Sequence, residues 1–176
     1  MDLDTSYMLS TTDTSNDRSI AIHHSATGQL VYHCTVHALP GTHVVYPVAV
    51  MASSPEHRKA LPHIKLRVLV DNILKRYQVV LMSAGNETVG GRFSFQTQIQ
   101  YAMSGSIHAY DLVGGEAVRF DDKDAFKAFM DRRWDEPLRL VLLSRWALAS
   151  TTTYVIPRDY VHSLDQIDAR AAQGVE

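Results

Sequence analysis

A thiol and five imidazoles, groups that bind metals or act in nucleophilic catalysis, lie within one short stretch of the chain. They are His23, His24, His33, Cys34, His37 and His43. Zinc and copper take imidazole and thiolate ligands, and a thiol beside an imidazole can serve as an activated nucleophile. The stretch therefore suggests either a metal site at His23, His33 and His37, or a thiol nucleophile at Cys34 with His23 as its base.

The spacing of these residues fits a metal site poorly. The surrounding sequence has the pattern of β-strands, on which His33 and His37 would lie roughly 13 Å apart at ~3.3 Å per residue. Cys34 would face the side opposite to both. We therefore predict histidines distributed over strand surfaces and ends, with no metal and no cofactor. The set His23, His33 and His37 is the weaker alternative.

Cys34 has the neighbours of a core residue. Tyr32 and Val36 share its strand face, and a free cysteine is among the most frequently buried residues. In the expected hairpin register His23 falls on the same face as Cys34 and is the one base that can be named. A structural thiol is the prediction, and a nucleophile formed by Cys34 with His23 is the alternative.

The elements that carry these residues are predicted to be a hairpin and a third strand. Residues 18–24 and 29–37 are short apolar runs on either side of a turn at 25–28. The third strand covers residues 43–51, and Pro47 confines it to an edge or a bulge because proline lacks a ladder donor. Residues 1–17 are rich in Ser, Thr and Asp and are predicted to be a disordered polar tail. Residues 18–176 are predicted to form a single globular domain.

The clearest periodic pattern lies in residues 92–113. Alternate positions from Phe93 to Met103 are apolar or β-tolerant, which predicts a strand, a turn at residues 104–106 and a returning strand over 107–113. We expect the sheet to be organised around this hairpin. Residues 64–82 fit two templates. A hairpin turning at Asp71 is preferred over an amphipathic helix because its end is rich in β-forming residues.

The C-terminal part mixes strands and helices. A short strand over residues 116–120 precedes a helix that Asp121 or Asp122 caps and that runs to about Trp134. Residues 137–150 favour a helix slightly over a strand, residues 151–156 a strand, and Ser163 begins a last short helix. The order of elements predicts an α+β fold, in which two to four helices pack on one face of a mainly antiparallel β-sheet, a meander of hairpins.

In this meander one sheet face is polar and is a possible binding surface. Its cations, amides and aromatic groups are Arg67, Arg76, Arg92, Gln98, Gln100, His108 and Tyr110. Such a face could carry single-stranded nucleic acid or a protein partner. The aromatic side chains are few for base stacking, so an ordinary solvated face is favoured, a protein partner is the next alternative and nucleic acid is the last.

Composition sets the broad class. The chain has 176 residues, 45% hydrophobic and 20% charged, with a formal charge of −2 and one cysteine. Neither a secretory leader nor a membrane span is predicted, and the expected location is the cytoplasm, with leaderless export as an alternative. We predict a non-enzymatic binding or protein-interaction domain whose oligomeric state the sequence leaves open. The alternatives are a Cys/His-based thiol or metal-assisted hydrolase and a nucleic-acid-binding sheet.

Overall fold

Short runs of apolar and β-branched residues form eight strands among the residues that the structure describes. The computed structural model describes residues 5–51, 55–84, 89–132, 139–149, 153, 154 and 156. The strands are β1 Tyr7–Asp13, β2 Asp17–His24, β3 Leu30–Ala38, β4 Val44–Met51, β5 Val79–Ala84, β6 His108–Val113, β7 Glu116–Arg119 and β8 Arg139–Ser144. They form one sheet with the spatial order β1-β2-β3-β4-β5-β8-β6-β7.

In the described ranges three α-helices accompany the sheet, and a short 3₁₀ helix spans Pro55–His57. α1 spans Leu61–Arg67 and continues directly into a π-helical segment, Val68–Ile73. α2 spans Val89–Ser104 and α3 spans Lys123–Arg132. The α3 prediction is confirmed, and the Asp122 carboxylate accepts a hydrogen bond of 2.8 Å from the backbone N–H of Ala125, as expected of an N-cap.

The sheet divides into two half-sheets. The first half-sheet is β1 to β4, a meander of consecutive antiparallel strands. The second half-sheet is β5, β8, β6 and β7, whose neighbours also pair antiparallel. The halves join where β4 and β5 run parallel, with Val44 opposite Val79 and Val45 opposite Val80. The prediction of an α+β fold with a mainly antiparallel sheet is confirmed.

The larger hydrophobic core lies between the helices and one face of the sheet, here called the helix-side face. It joins Ile20 and Cys34 of the first half-sheet and Val141 of the second to Ile99 of α2 and Phe126 of α3. A smaller core lies on the opposite, outer face. Its members are Leu39, Val44, Tyr46, Val79, Leu81, Tyr110 and Leu142, with Leu148, Tyr154 and Ile156 packed against them. The helices therefore pack on one face, as predicted.

The predicted strand over residues 92–103 is wrong, because this segment lies in α2. Phe95, Ile99 and Met103 are four residues apart, so they satisfy a period of two and also share one face of a helix. Phe95, Ile99 and Ala102 are buried, whereas Tyr101 is half exposed. Glutamine is a good helix former, so the intervening Gln residues favour the helix locally. The returning strand exists as β6, but its partners are β7 and β8.

The preferred hairpin over residues 64–82 is also wrong. Residues 64–73 are helical, as the alternative interpretation predicts, and only Val79–Ala84 forms a strand. Pro62 lies in the first turn of α1. Proline is well suited to that position because its missing N–H has no partner within the helix.

Residues 137–150 contain a strand where a helix was slightly favoured. β8 lies between β5 and β6, and Val141, Leu142 and Leu143 are all fully buried. A central strand covered on both faces has a continuous apolar run instead of alternation, which makes it hard to distinguish from a buried helix.

The remaining differences concern the two ends of the chain. Residues 7–13 of the expected polar tail form β1, whereas residues 1–4 lie outside the described residues. Thr153 of the predicted strand 151–156 makes an isolated bridge to Glu116, and the predicted helix from Ser163 lies outside the described residues. The hairpin β2–β3 and the strands β4 and β7 are confirmed.

Pro47 occupies a position that suits its missing donor. It pairs with Val36 of β3, while the registered pairs between β4 and β5 end at Val45. Among the described residues, no strand therefore pairs with β4 at Pro47 on the side that faces away from β3. This is the edge position that the sequence predicts for the proline.

Candidate functional site

Cys34 lies in the centre of β3 and is fully buried. Its cross-strand neighbours are Ile20 on β2 and Ala49 on β4. Burial raises the pKa of the thiol to about 11, although a side-chain hydrogen bond with Tyr32 acts in the opposite direction. His23 lies beyond a bulge and pairs with Leu30. The thiol is thus protonated at neutral pH and packed in the helix-side core.

The three histidines of the metal hypothesis lie on strands of the first half-sheet without converging. His33 pairs with Ala21, whereas the His37 ring lies 2.8 Å from an Asp17 carboxylate oxygen and 5.3 Å, centroid to centroid, from the Tyr46 ring. In the part of the chain that the structure describes, no three His, Cys, Asp or Glu side chains are grouped closely enough to hold a metal ion.

The residues of the predicted polar surface are spread over different elements. Arg67 of α1 is paired with Asp71 at 2.8 Å, and Arg76 lies 3.5 Å from Asp13. The others belong to α2 and β6, namely Arg92, Gln98, Gln100, His108 and Tyr110. Because residues 64–73 and 92–103, which were expected to lie in strands, are helical, these side chains do not form one sheet face. Tyr110 is buried in the outer-face core.

His108, the histidine of that set, has a shifted pKa. Burial lowers the pKa of its imidazole below the ordinary value, and the positive charge of the Arg119 guanidinium lowers it further. Arg119 also lines two shallow grooves beside α3, of about 550 Å³ and about 480 Å³. Asp121 and Phe120 also line both grooves. Each groove therefore has charges of both signs beside an apolar side chain.

The two edges of the sheet differ in how they are closed. β7 has four residues, two of them charged, and Glu116 makes a bridge to Thr153 on its outer side. β1 has seven residues, of which only Asp13 is charged, and it pairs along its whole length with β2. Among the described residues, no other strand pairs with β1. This strand therefore presents an open edge.

The backbone direction of β1 follows from hydrogen bonds at its two ends. The C=O of Ser6 accepts from the N–H of Ser25, and the N–H of Thr14 donates to the C=O of Asp17. Backbone groups alternate in direction along an antiparallel strand, so the even-numbered residues of β1 bond to β2. The residues whose N–H and C=O point away from the sheet are Tyr7, Leu9, Thr11 and Asp13.

Side chains hold β1 at both ends. At its start, the Tyr7 hydroxyl lies 3.2 Å from Nδ1 of the buried His57, and the His24 and His57 rings are 5.0 Å apart. At its end, Asp13 accepts hydrogen bonds of 2.8 and 2.9 Å from Arg18. Arg76 lies near the same carboxylate.

The middle of β1 is exposed between these two anchors. Met8 is 54% exposed and Leu9 is 38% exposed. The strand is thus held in an extended conformation while its open edge and two apolar side chains face solvent. Sequence reasoning missed it because it lies within residues 1–17, which as a whole are rich in Ser, Thr and Asp. The available signal was the alternation of Tyr7, Leu9 and Thr11, which lie on one face of the strand.

The chain has no match among models of known protein families, and no curated protein matches its sequence. None of the helices in the described ranges has the length and apolar character required to cross a lipid bilayer.

Proposed function

We propose that this protein is a non-catalytic binding domain that recognises a protein partner by adding an extended strand of that partner to β1. The observation that carries the proposal is the open edge of Tyr7–Asp13, held in place at both ends. We place its activity in the cytoplasm, because a chain with one cysteine suits a reducing compartment.

Strand addition is a general mode of recognition. Main-chain hydrogen bonds along the edge give affinity, and alternate side chains give specificity. An edge that is already extended loses less conformational entropy on binding than a flexible segment would. β1 meets both requirements, since four of its residues direct backbone groups outward and Met8 and Leu9 offer apolar contacts.

The composition of β1 also favours pairing. Native sheets commonly protect a free edge with lysine, proline or a bulge. From Tyr7 to Thr12 the strand has no charge and no proline, and its register with β2 is regular over all seven residues of β1. An edge without such protection is the kind that accepts another strand.

Two further observations support binding over the alternatives. The Cys34 thiol is buried and its pKa is raised to about 11, whereas a nucleophilic cysteine needs access and a lowered pKa. The cations Arg67 and Arg76, expected to face an anionic ligand, are paired with Asp71 and Asp13. Each of these pairs reduces the positive charge available to a nucleic acid.

A photo-crosslinking amino acid placed at Met8 tests the proposal, because that side chain is exposed beside the edge. We expect irradiation in a native cell extract to give a discrete set of protein adducts. Thr11→Pro, which removes an outward-facing N–H, should abolish them. Thr11→Ala keeps that N–H and should retain them.

The pair of variants at Thr11 isolates the backbone contribution. Proline is tolerated at a position whose N–H faces away from the sheet, so both variants should keep the circular dichroism spectrum of the unmodified chain. Adducts that persist unchanged in a folded Thr11→Pro protein, or the absence of adducts in the unmodified chain, would refute recognition through this edge.

A further inference from the structure

We infer that the strand added to β1 is β1 of a second copy of this chain, so that the protein forms a two-fold symmetric dimer with one continuous sheet. This inference rests on the proposed function, since it names the partner at the same edge. Three features of the described residues support it: the register of the edge, its charge pattern and the state of the opposite edge.

The register allows β1 to pair with itself along its whole length. In an antiparallel pair the residues with outward backbone groups must face one another. A two-fold axis at Ser10 sets Tyr7 opposite the second copy's Asp13, and Leu9 opposite its Thr11. All four outward-facing residues then find a partner, whereas a shift of the axis by one residue leaves the strand end unpaired.

The side chains are compatible with this register. Asp13 is the only charged residue of β1 and faces a tyrosine, so no like charges meet across the axis. Met8 faces Thr12, and Leu9 faces the β-branched Thr11. Met8, 54% exposed, and Leu9, 38% exposed, would lose solvent contact on pairing, which is favourable for apolar groups.

The opposite edge explains why assembly would stop at two copies. β7 is short, carries Glu116 and Arg119, and is bridged by Thr153. A β1–β1 contact is self-complementary, so each copy uses its open edge once. The result is a closed dimer and not an extended array of sheets.

Cysteine trapping tests the register directly. Ser10 of one copy would face Ser10 of the other in a non-hydrogen-bonded pair, with Cα atoms about 4.5 Å apart, within the range of about 4.4–6.8 Å that a disulfide requires. Ser10→Cys should therefore form a disulfide-linked dimer under mild oxidation. Thr12→Cys is the matched control, because the two Thr12 residues would be roughly 13 Å apart. The native Cys34 is fully buried.

Sedimentation of the purified full-length chain provides the second measurement. We expect a dimer for the unmodified protein and a monomer for Thr11→Pro at the same concentration. Thr11→Lys, which places a charge at the edge, should also be monomeric and serves if the proline variant fails to fold.

The outcomes separate this inference from the proposed function. A chain that is monomeric at every concentration would overturn the second copy as occupant. Loss of photo-adducts to other proteins in Thr11→Pro would then still support strand addition. A dimer that survives Thr11→Pro and Thr11→Lys, or that Thr12→Cys traps as well as Ser10→Cys does, would also overturn the inference.

Discussion

The two half-sheets have the same number of strands but differ in what covers them. In the second half-sheet Leu81, Tyr110 and Leu142 are buried on the outer face beneath Leu148 and its neighbours. In the first half-sheet the outer face carries residues such as Thr35 and His33, which remain partly exposed. Helices cover the helix-side face of both. The second half-sheet thus has a core on both faces that extends to Val44 and Tyr46 of β4, whereas β2 and β3 of the first half-sheet have one dry and one wet face.

This difference assigns different roles to the two halves. Strands buried on both faces supply most of the packing that a fold needs, and their edges are less available to partners. A half-sheet with one polar face and an open edge can accept another strand without losing its own core. We therefore expect stability to depend most on the second half-sheet and recognition to depend on the first.

The largest expected effect is on the stability of the second half-sheet. Leu142→Ala removes a fully buried side chain from β8 and should lower the free energy of unfolding by about 2–5 kcal/mol. Thr35→Ala, on the outer face of β3, should change it by about 0.5 kcal/mol or less. Urea denaturation of both variants measures the contrast. Equal losses of unfolding free energy in the two variants would show that the outer faces of the two half-sheets contribute equally to stability.

A second effect concerns the helix-side face of the first half-sheet. The pKa of Cys34 is raised to about 11 from 9.0 by burial, so its thiolate fraction at neutral pH should be roughly a hundredfold lower than that of an ordinary cysteine. Labelling of the native protein by a thiol reagent should be slow and should accelerate as the pH rises towards 11. Rapid labelling of the folded protein at pH 7 would contradict the burial of Cys34 on this face.

A smaller effect should follow from loosening the cover of the second half-sheet. The Tyr110 hydroxyl accepts a hydrogen bond of 2.9 Å from the backbone N–H of Leu148. Tyr110→Phe should cost about 1 kcal/mol of unfolding free energy and increase amide exchange near Leu148. Tyr101→Phe, at a half-exposed position on α2, is the control and should leave both unchanged.

The smallest effect is a titration in the second half-sheet. NMR should give His108 a pKa below its ordinary 6.5, and Arg119→Gln should raise it only in part because burial is the larger cause. The folded chain binds this proton less tightly than the unfolded chain does. Stability should therefore fall as the pH drops from about 6.5 to the folded pKa, and His108→Gln should remove that component. A pKa at or above 6.5 would contradict this environment.

The difference between strands with one buried face and strands buried on both faces also explains which elements the sequence predicts correctly. The hairpin β2–β3 alternates between a dry face and a wet face, and Gly28 in its turn has a φ of 68°, so the sequence identifies it. The caps and apolar spacing of α3 were equally informative. β8 and α2 were assigned incorrectly, because a strand buried on both faces loses its alternation, and apolar residues four apart fit a strand as well as a helix.

The candidate site could be predicted only in part. The sequence predicts a polar sheet face as a binding surface, and that face does not exist, because residues 64–73 and 92–103 are helical; protein binding itself remains our proposal. β1 was missed since its Ser and Thr content suggests disorder. Pairing with β2 orders the strand, and the added contacts of Tyr7 with His57 and of Asp13 with Arg76, which lie far away in the sequence, leave no local pattern.

The position of β8 has a consequence for the order in which the chain folds. β8 is the last of the described strands along the chain but lies between β5 and β6 in the sheet. During synthesis the meander of β1 to β4 can form from contacts between sequence neighbours, whereas β5 cannot pair with β8 until residues 139–144 emerge. Contacts between distant segments form slowly. The recognition half should therefore be native-like while the second half-sheet still lacks its central strand, with the β5 and β6 edges unprotected against aggregation.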